Sequence, residues 1–206
     1  MSQTDCRNTE KGNRTLAQFK RLLLIVVLLI STVATLGEGQ SSDSNFASQA
    51  HTISQEAIQQ LSLAIRLTIF SVQSPSLNDL KFNAARIMNV LVGADSPLFN
   101  EDVGIPQNAD RTGVIPRLAR IRALLEPHAE GDARVQNWLN ALESIEFFSA
   151  VATEEMINVL NESNDRTARV SLRKTTAFLT ATRGSHDDPL SEGGARALEQ
   201  DIGRDQ

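Results

Sequence analysis

Val135–Leu160, VQNWLNALESIEFFSAVATEEMINVL, decides the fold class. Val135, Trp138, Leu139, Leu142, Ile145, Phe148, Ala152, Met156, Val159 and Leu160 recur at steps of three and four, nearly as a heptad. That spacing places them on one face of an α-helix. A stripe lasting about seven turns is too long for a strand. Asp132 stands where an N-cap belongs, so the helix is expected to run from there to about Leu160.

Working outward, the same period recurs on both sides. Asn164 or Ser163 caps a following helix to about Arg183, with Ala168, Leu172, Thr175 and Leu179 as a thinner stripe and Gly184 as its stop. Upstream, Ile115–Glu126 reads as a short helix with Pro116 in its first turn and Pro127 at its end. Its stripe is Leu118, Ile121, Leu124 and Leu125. Ser76 with Asp79 three residues on resembles a capping box and opens a helix striped by Leu80, Ala84, Ile87, Met88 and Leu91, with Gly93 as its C-terminal cap. Phe46, Ala50, Ile53, Ala57, Leu61, Ile65 and Val72 mark a first helix that Ser74-Pro75 terminates. No segment alternates apolar and polar residues between turn signals, so no sheet is expected. No repeat of fixed period is visible. Residues 46–183 are therefore expected to form an all-α, up-and-down bundle of four principal helices plus one short helix. The tail, 184–206, with GSHDDP and SEGG, reads as disordered, with at most a frayed turn near Ala195–Gln200.

The N-terminal part sets the address. Leu22–Leu36, LLLIVVLLISTVATL, carries no charge and follows Lys20 and Arg21 directly. An apolar run behind basic residues is the signature shared by signal peptides and membrane anchors. Residues 1–21 hold five basic side chains against Asp5 and Glu10, a net +3; the remaining fifteen basic and twenty-three acidic residues give −8. The basic leader 1–21 is expected to stay in the cytoplasm, with everything after 36 outside it. Two fates fit the segment. A short apolar core followed by Thr32-Val33-Ala34 suits cleavage and secretion, whereas the long leader suits a retained anchor that holds the protein to the membrane through 22–36. Gly37–Asn45, GEGQSSDSN, reads as a linker.

Most site chemistry is excluded. The single cysteine, Cys6, lies in the leader, so the exported part holds no disulfide, thiolate zinc site or iron–sulfur cluster. There is no GxGxxG, Walker loop, GxSxG or HExxH. His51, His128 and His186 fall in three separate regions without paired spacing. Met88 and Met156 sit on apolar stripes, where methionine is core filler rather than a haem ligand. Ser171-Leu172-Arg173-Lys174 matches SxxK, but Lys174-Thr175-Thr176 is not the partner motif and the mixed fold of those serine enzymes is absent. Arg166, Arg169, Arg173 and Lys174 are expected to form a solvated basic face. Nucleic acid is not an expected partner, because the domain is acidic and lacks aromatics interleaved with bases. Tyrosine is absent and tryptophan occurs once, which argues weakly against a carbohydrate-stacking platform and against an aromatic-rich protein interface. Asn161-Glu162-Ser163 is a glycosylation sequon in an expected turn.

One stretch has some chemical shape. Ala94–Thr112 holds Asp95, Asn100, Glu101, Asp102, Asn108 and Asp110 among Gly93, Gly104 and Gly113. Oxygen donors interleaved with glycine suit Ca²⁺, although Leu98 stands where an EF-hand loop needs an acid and Gly104 falls one place late. The sequence thus points to a non-enzymatic extracytoplasmic helical bundle of the cell envelope working through contacts with an unknown protein. The alternative is a small-ligand or Ca-binding bundle using loop 94–112. Neither reading names a catalytic, cofactor or metal residue, and no cofactor is expected.

The topology has a direct check. A membrane-impermeant thiol reagent should leave Cys6 unlabelled in intact cells and label it after lysis; labelling in intact cells would reverse the orientation. N-terminal sequencing then separates a start near Thr35 or Gln40 (released) from Met1 or Ser2 (tethered).

Overall fold

The computed structural model describes residues 45–184 and 193–204, all of them helix, turn or loop and none of them strand. Six α-helices follow one another: α1 Asn45–Ser71, α2 Leu77–Val92, α3 Val114–Leu125, α4 Ala133–Asn161, α5 Asp165–Arg183 and α6 Gly194–Arg204, with one 3-10 turn at Glu126–His128. The described residues are all-α, and their helices pack as a bundle.

The helix starts are set by side chains that occupy otherwise unpaired backbone N–H groups. Ser76 Oγ accepts from the Asp79 N–H at 3.2 Å while its own hydroxyl donates to the Asp79 carboxylate at 2.5 Å. Asp132 accepts the Arg134 N–H at 2.9 Å, and its carboxyl is held down at about 2 by the Arg134 side chain and N–H. Of the two candidates before α5, Asn164 is the cap, accepting from the Arg166 and Thr167 N–H groups. Gly93 and Gly184 close α2 and α5 with φ of 74° and 77°, a backbone region that suits glycine.

The two longest helices, α1 of 27 residues and α4 of 29, run the same way and scarcely touch each other. Two columns fill the space between them, and both run the opposite way. Each column is broken. The first is α2, of 16 residues, then α3, of 12; the second is α5, of 19, then α6, of 11. The pieces of each column together match the length of the long helices. Both pieces of both columns pack on α1 and on α4. Directions follow from contacts along α1. Arg169 of α5 reaches the Val72 carbonyl at the far end, Arg117 of α3 reaches Glu56, Glu199 of α6 reaches His51, and His128 after α3 stacks on Phe46.

Each break is a neck of glycines. A Cβ on Gly93 would lie 2.0 Å from the Thr112 carbonyl oxygen, and one on Gly113 would lie 2.4 Å from the Gly93 nitrogen. In the second column a Cβ on Gly184 would lie 2.0 Å from the Gly193 oxygen, and one on Gly194 would lie 2.5 Å from the Gly184 nitrogen. Only glycine allows backbone to cross backbone this closely.

One core runs through the bundle. Leu61, Leu80, Ile87, Met88, Leu91, Leu118, Ile121, Leu125, Leu142, Ile145, Met156 and Leu172 are the largest fully buried side chains, and Trp138 is buried with them. These are the stripe residues of the sequence.

The tail departs from expectation. Residues 194–204, expected to be disordered, form α6, and Ala195, Leu198 and Ile202 are buried in the core. The triplet is a two-turn apolar stripe too short to stand out in a polar, glycine-rich stretch. Packing against α1 stabilises it, as tertiary contacts do for most short helices. Residues 185–192 and 205–206 of the expected tail lie outside the described residues. So do the leader 1–21, the apolar segment Leu22–Leu36 and the linker up to residue 44. Among the described residues no helix is long and apolar enough to cross a membrane.

Because Ile202 of α6 is fully buried in the core, Ile202→Ala should destabilise the protein by about 2–5 kcal/mol, the range for truncating a buried isoleucine. A silent substitution in urea unfolding would return the tail to the disordered state expected from its composition.

Candidate functional site

The loop between α2 and α3 is organised from beneath by one side chain. Asn89 is 0 % exposed on an otherwise apolar part of α2. Its Nδ2 donates to the Asn100 and Gly104 carbonyls, both at 2.7 Å, and its Oδ1 accepts the Asn100 N–H at 2.8 Å. A buried amide must be satisfied, and here the loop satisfies it. Asn100 then accepts the Asp102 N–H at 3.0 Å, and Ala94 N–H donates to Arg111 O at 2.7 Å across the neck. Phe99 packs on the core, Arg111 lies 5.3 Å over its ring, and Glu101 pairs with Arg111 at 2.9 Å.

The far end of the loop is held by Arg117, 6 % exposed on α3. Its guanidinium grips Asp110 with two nitrogens at 2.7 and 3.0 Å, donates to Gly113 O at 2.9 Å and reaches Glu56 of α1 at 3.2 Å. Partial burial works against the Asp110 charge, but the Arg117 guanidinium and the Thr112 and Gly113 N–H groups outweigh it. The carboxyl is held below its ordinary value.

This arrangement decides how the loop's acids are used. Asp110, one of three carboxylates a calcium site would need, is turned onto an internal cation. Asp95 and Asp102 are exposed. Among the described residues no three His, Cys, Asp or Glu side chains gather in a group that could hold a metal ion.

The other sequence candidates separate in space. His51 Nε2 lies 2.8 Å from Glu199, and Gln55 donates to the same carboxylate at 3.1 Å, which ties α6 to α1. The ring lies against Gly203, where a Cβ would fall 2.7 Å from Cε1. His128 stacks on Phe46 at 3.9 Å. His186 lies outside the described residues. Met88 and Met156 are buried core side chains. Ser171 is buried, while Lys174 points out to Glu155 at 3.1 Å, so the SxxK residues do not form a pair. The expected basic face is divided. Arg169 turns inward to the Val72 and Ser74 carbonyls and to Asp165, so it caps the end of α1. Arg166 and Arg173 stay exposed.

What composition and spacing missed is on the outside. Phe70 is 70 % exposed, Phe147 62 %, Phe82 49 % and Ile69 48 %. Phe147 follows a stripe position by two and precedes another by one, so a helical wheel puts it outside the core. That was the available signal. Comparison with protein families, with characterised proteins and with solved structures finds no match.

Arg117→Met should destabilise the protein by about 2 kcal/mol, since it removes several hydrogen bonds from a charged donor whose acids remain partly hydrated. The pH dependence has a definite sign. Asp110 has a lowered folded-state value, so its contribution is complete above the ordinary 3.8 and is lost as pH falls through the depressed value. Asp110→Asn should flatten the stability profile below about pH 4. An unchanged acid limb would show that the Arg117 contact does not act on this carboxyl.

Proposed function

We propose that this chain is a non-enzymatic helical-bundle protein of the cell envelope, held outside the cytoplasm by its N-terminal segment and acting through protein–protein contacts. The observation that carries the reading is the set of large apolar side chains on outward helix lines, led by Phe70 and Phe147. Single exposed apolar residues are ordinary on protein surfaces, but phenylalanine is enriched at protein–protein interfaces. The polar groups of the interior support the same reading. Asn89 and Arg117 bond to the fold itself, and the buried hydroxyls of Ser54, Thr68, Ser149, Thr153 and Thr175 each bond the carbonyl four residues back. No nucleophile–base pair stands among them. The basic leader and apolar run supply the address.

A photo-crosslinking amino acid placed at Phe70 or Phe147 of the full chain in its own host should give discrete covalent adducts. The same residue at Gln136, exposed on α4, should give none. Absence of adducts at both phenylalanines would overturn the contact reading.

A further inference from the structure

The α4–α5 hairpin turns one face fully outward. On α4, Phe148 and Glu155 turn toward α5, where Phe178 stacks at 6.4 Å and Lys174 pairs at 3.1 Å; Glu146 turns the other way, to Arg122 of α3 at 2.6 Å. Between these directions runs the line Glu143, Phe147, Ala150, Glu154, and all four are exposed. Steps of four, three and four keep it straight along the helix. On α5, Lys174 and Phe178 turn toward α4 and Arg169 toward the end of α1. Between them runs Arg166, Val170, Arg173, Ala177, again all exposed.

The two lines are opposite in sign and apolar in between. The α4 line carries two acids around Phe147, and the α5 line carries two bases around Val170. Among the described residues none of these four charges is in an ion pair. We infer that this face docks a second copy of the chain, α4 of each copy lying on α5 of the other. The inference rests on the protein-contact reading above and names the partner.

Symmetry fixes the arrangement. Two copies meeting face to face are related by a two-fold axis in the contact plane. An axis across the helices would lay α4 on α4 and set acid against acid. An axis along the helices lays α4 on α5 and sets Glu154 against a base, while every residue keeps its height and Glu143 and Arg166 stay at opposite ends of the face. The Glu155–Lys174 and Phe148–Phe178 contacts fix the heights of these antiparallel helices, and they put Glu154 level with Arg173. Glu154 therefore meets Arg173 of the partner subunit, and the axis generates the same pair a second time. The face is about 28 Å long by the rise of α5 and about 20 Å wide for two helices. That is smaller than the roughly 800 Å² per partner of a standard stable interface. The dimer is accordingly a weak, reversible one.

The test is charge reversal on the full chain in mild detergent. Self-association is read by sedimentation velocity and by co-purification of two differently tagged copies. Glu154→Arg and Arg173→Glu should each weaken self-association about tenfold, because like charges then face each other at both symmetric pairs. The double variant should restore it, and the two single variants, mixed, should associate with each other. Each variant should keep the wild-type melting temperature, since neither side chain is buried. A wild-type chain that stays monomeric overturns the inference. So does association weakened by Phe147→Ser but indifferent to both reversals, because the face would then be paired in another way. Photo-crosslinks from Phe147 solely to a different protein overturn the second copy and leave the contact reading standing; no crosslinks from Phe147 or Phe70 sink both.

Discussion

Backbone must pass backbone at two places for this bundle to close, and everything else accommodates that. At Gly93 with Gly113, and at Gly184 with Gly194, chain segments approach to distances that leave no room for a Cβ. The necks let a helical column stop, release a loop and resume against the same two long helices. The columns therefore offer α1 and α4 an almost continuous surface, although neither is one helix. Without the necks the pieces would splay, and α1 would lose partners along half its length. The constraint is steric, and no gain in hydrophobic burial elsewhere substitutes for it.

Polar groups inside the bundle follow from the same geometry. Where the first column breaks, helix ends expose carbonyls and N–H groups within reach of the core. Arg117 satisfies the Gly113 carbonyl at the start of α3, and Asn89 satisfies the loop carbonyls of Asn100 and Gly104. Arg117 has a second effect, because by engaging Asp110 and Glu56 together it links loop, α3 and α1 through one side chain. A loop fixed in this way is a rigid part of the scaffold. Its acids are spent on internal pairing or left to solvent, and the most exposed phenylalanines lie on α1, α2 and the α4–α5 hairpin.

The sequence was legible where a period or a cap carried the signal. The α4 stripe, the Ser76 and Asp132 caps and the glycine stops at 93 and 184 all correspond to observed elements within a residue or two. Three features were not legible, each for a physical reason. The α6 stripe of Ala195, Leu198 and Ile202 is too short to outweigh a polar composition, and only burial against α1 makes it a helix. Asn89 shows in sequence as a single polar residue in the apolar run Ile87–Val92, but its partners lie eleven and fifteen residues on, in a loop without period. Arg169 reads as one of four solvated bases, yet its length lets it cross to α1 and leave the others behind. Exposure of Phe147 is implicit in the helical wheel, but the sign pattern beside it becomes visible only when α4 and α5 are set side by side.

The tie between α1 and α6 has a consequence in time. Gln55 and Glu199, bonded at 3.1 Å, are separated by 144 residues. A chain made or exported from its N-terminus presents α1 long before the helix that covers part of it. At roughly 5–20 residues per second the interval is on the order of 10–30 seconds. By contrast, the α4–α5 hairpin is joined by a three-residue link and can pair almost as soon as it emerges. The first of the described helices to emerge is thus the last to be fully covered, and its uncovered flank must be shielded from other chains until the final turns arrive.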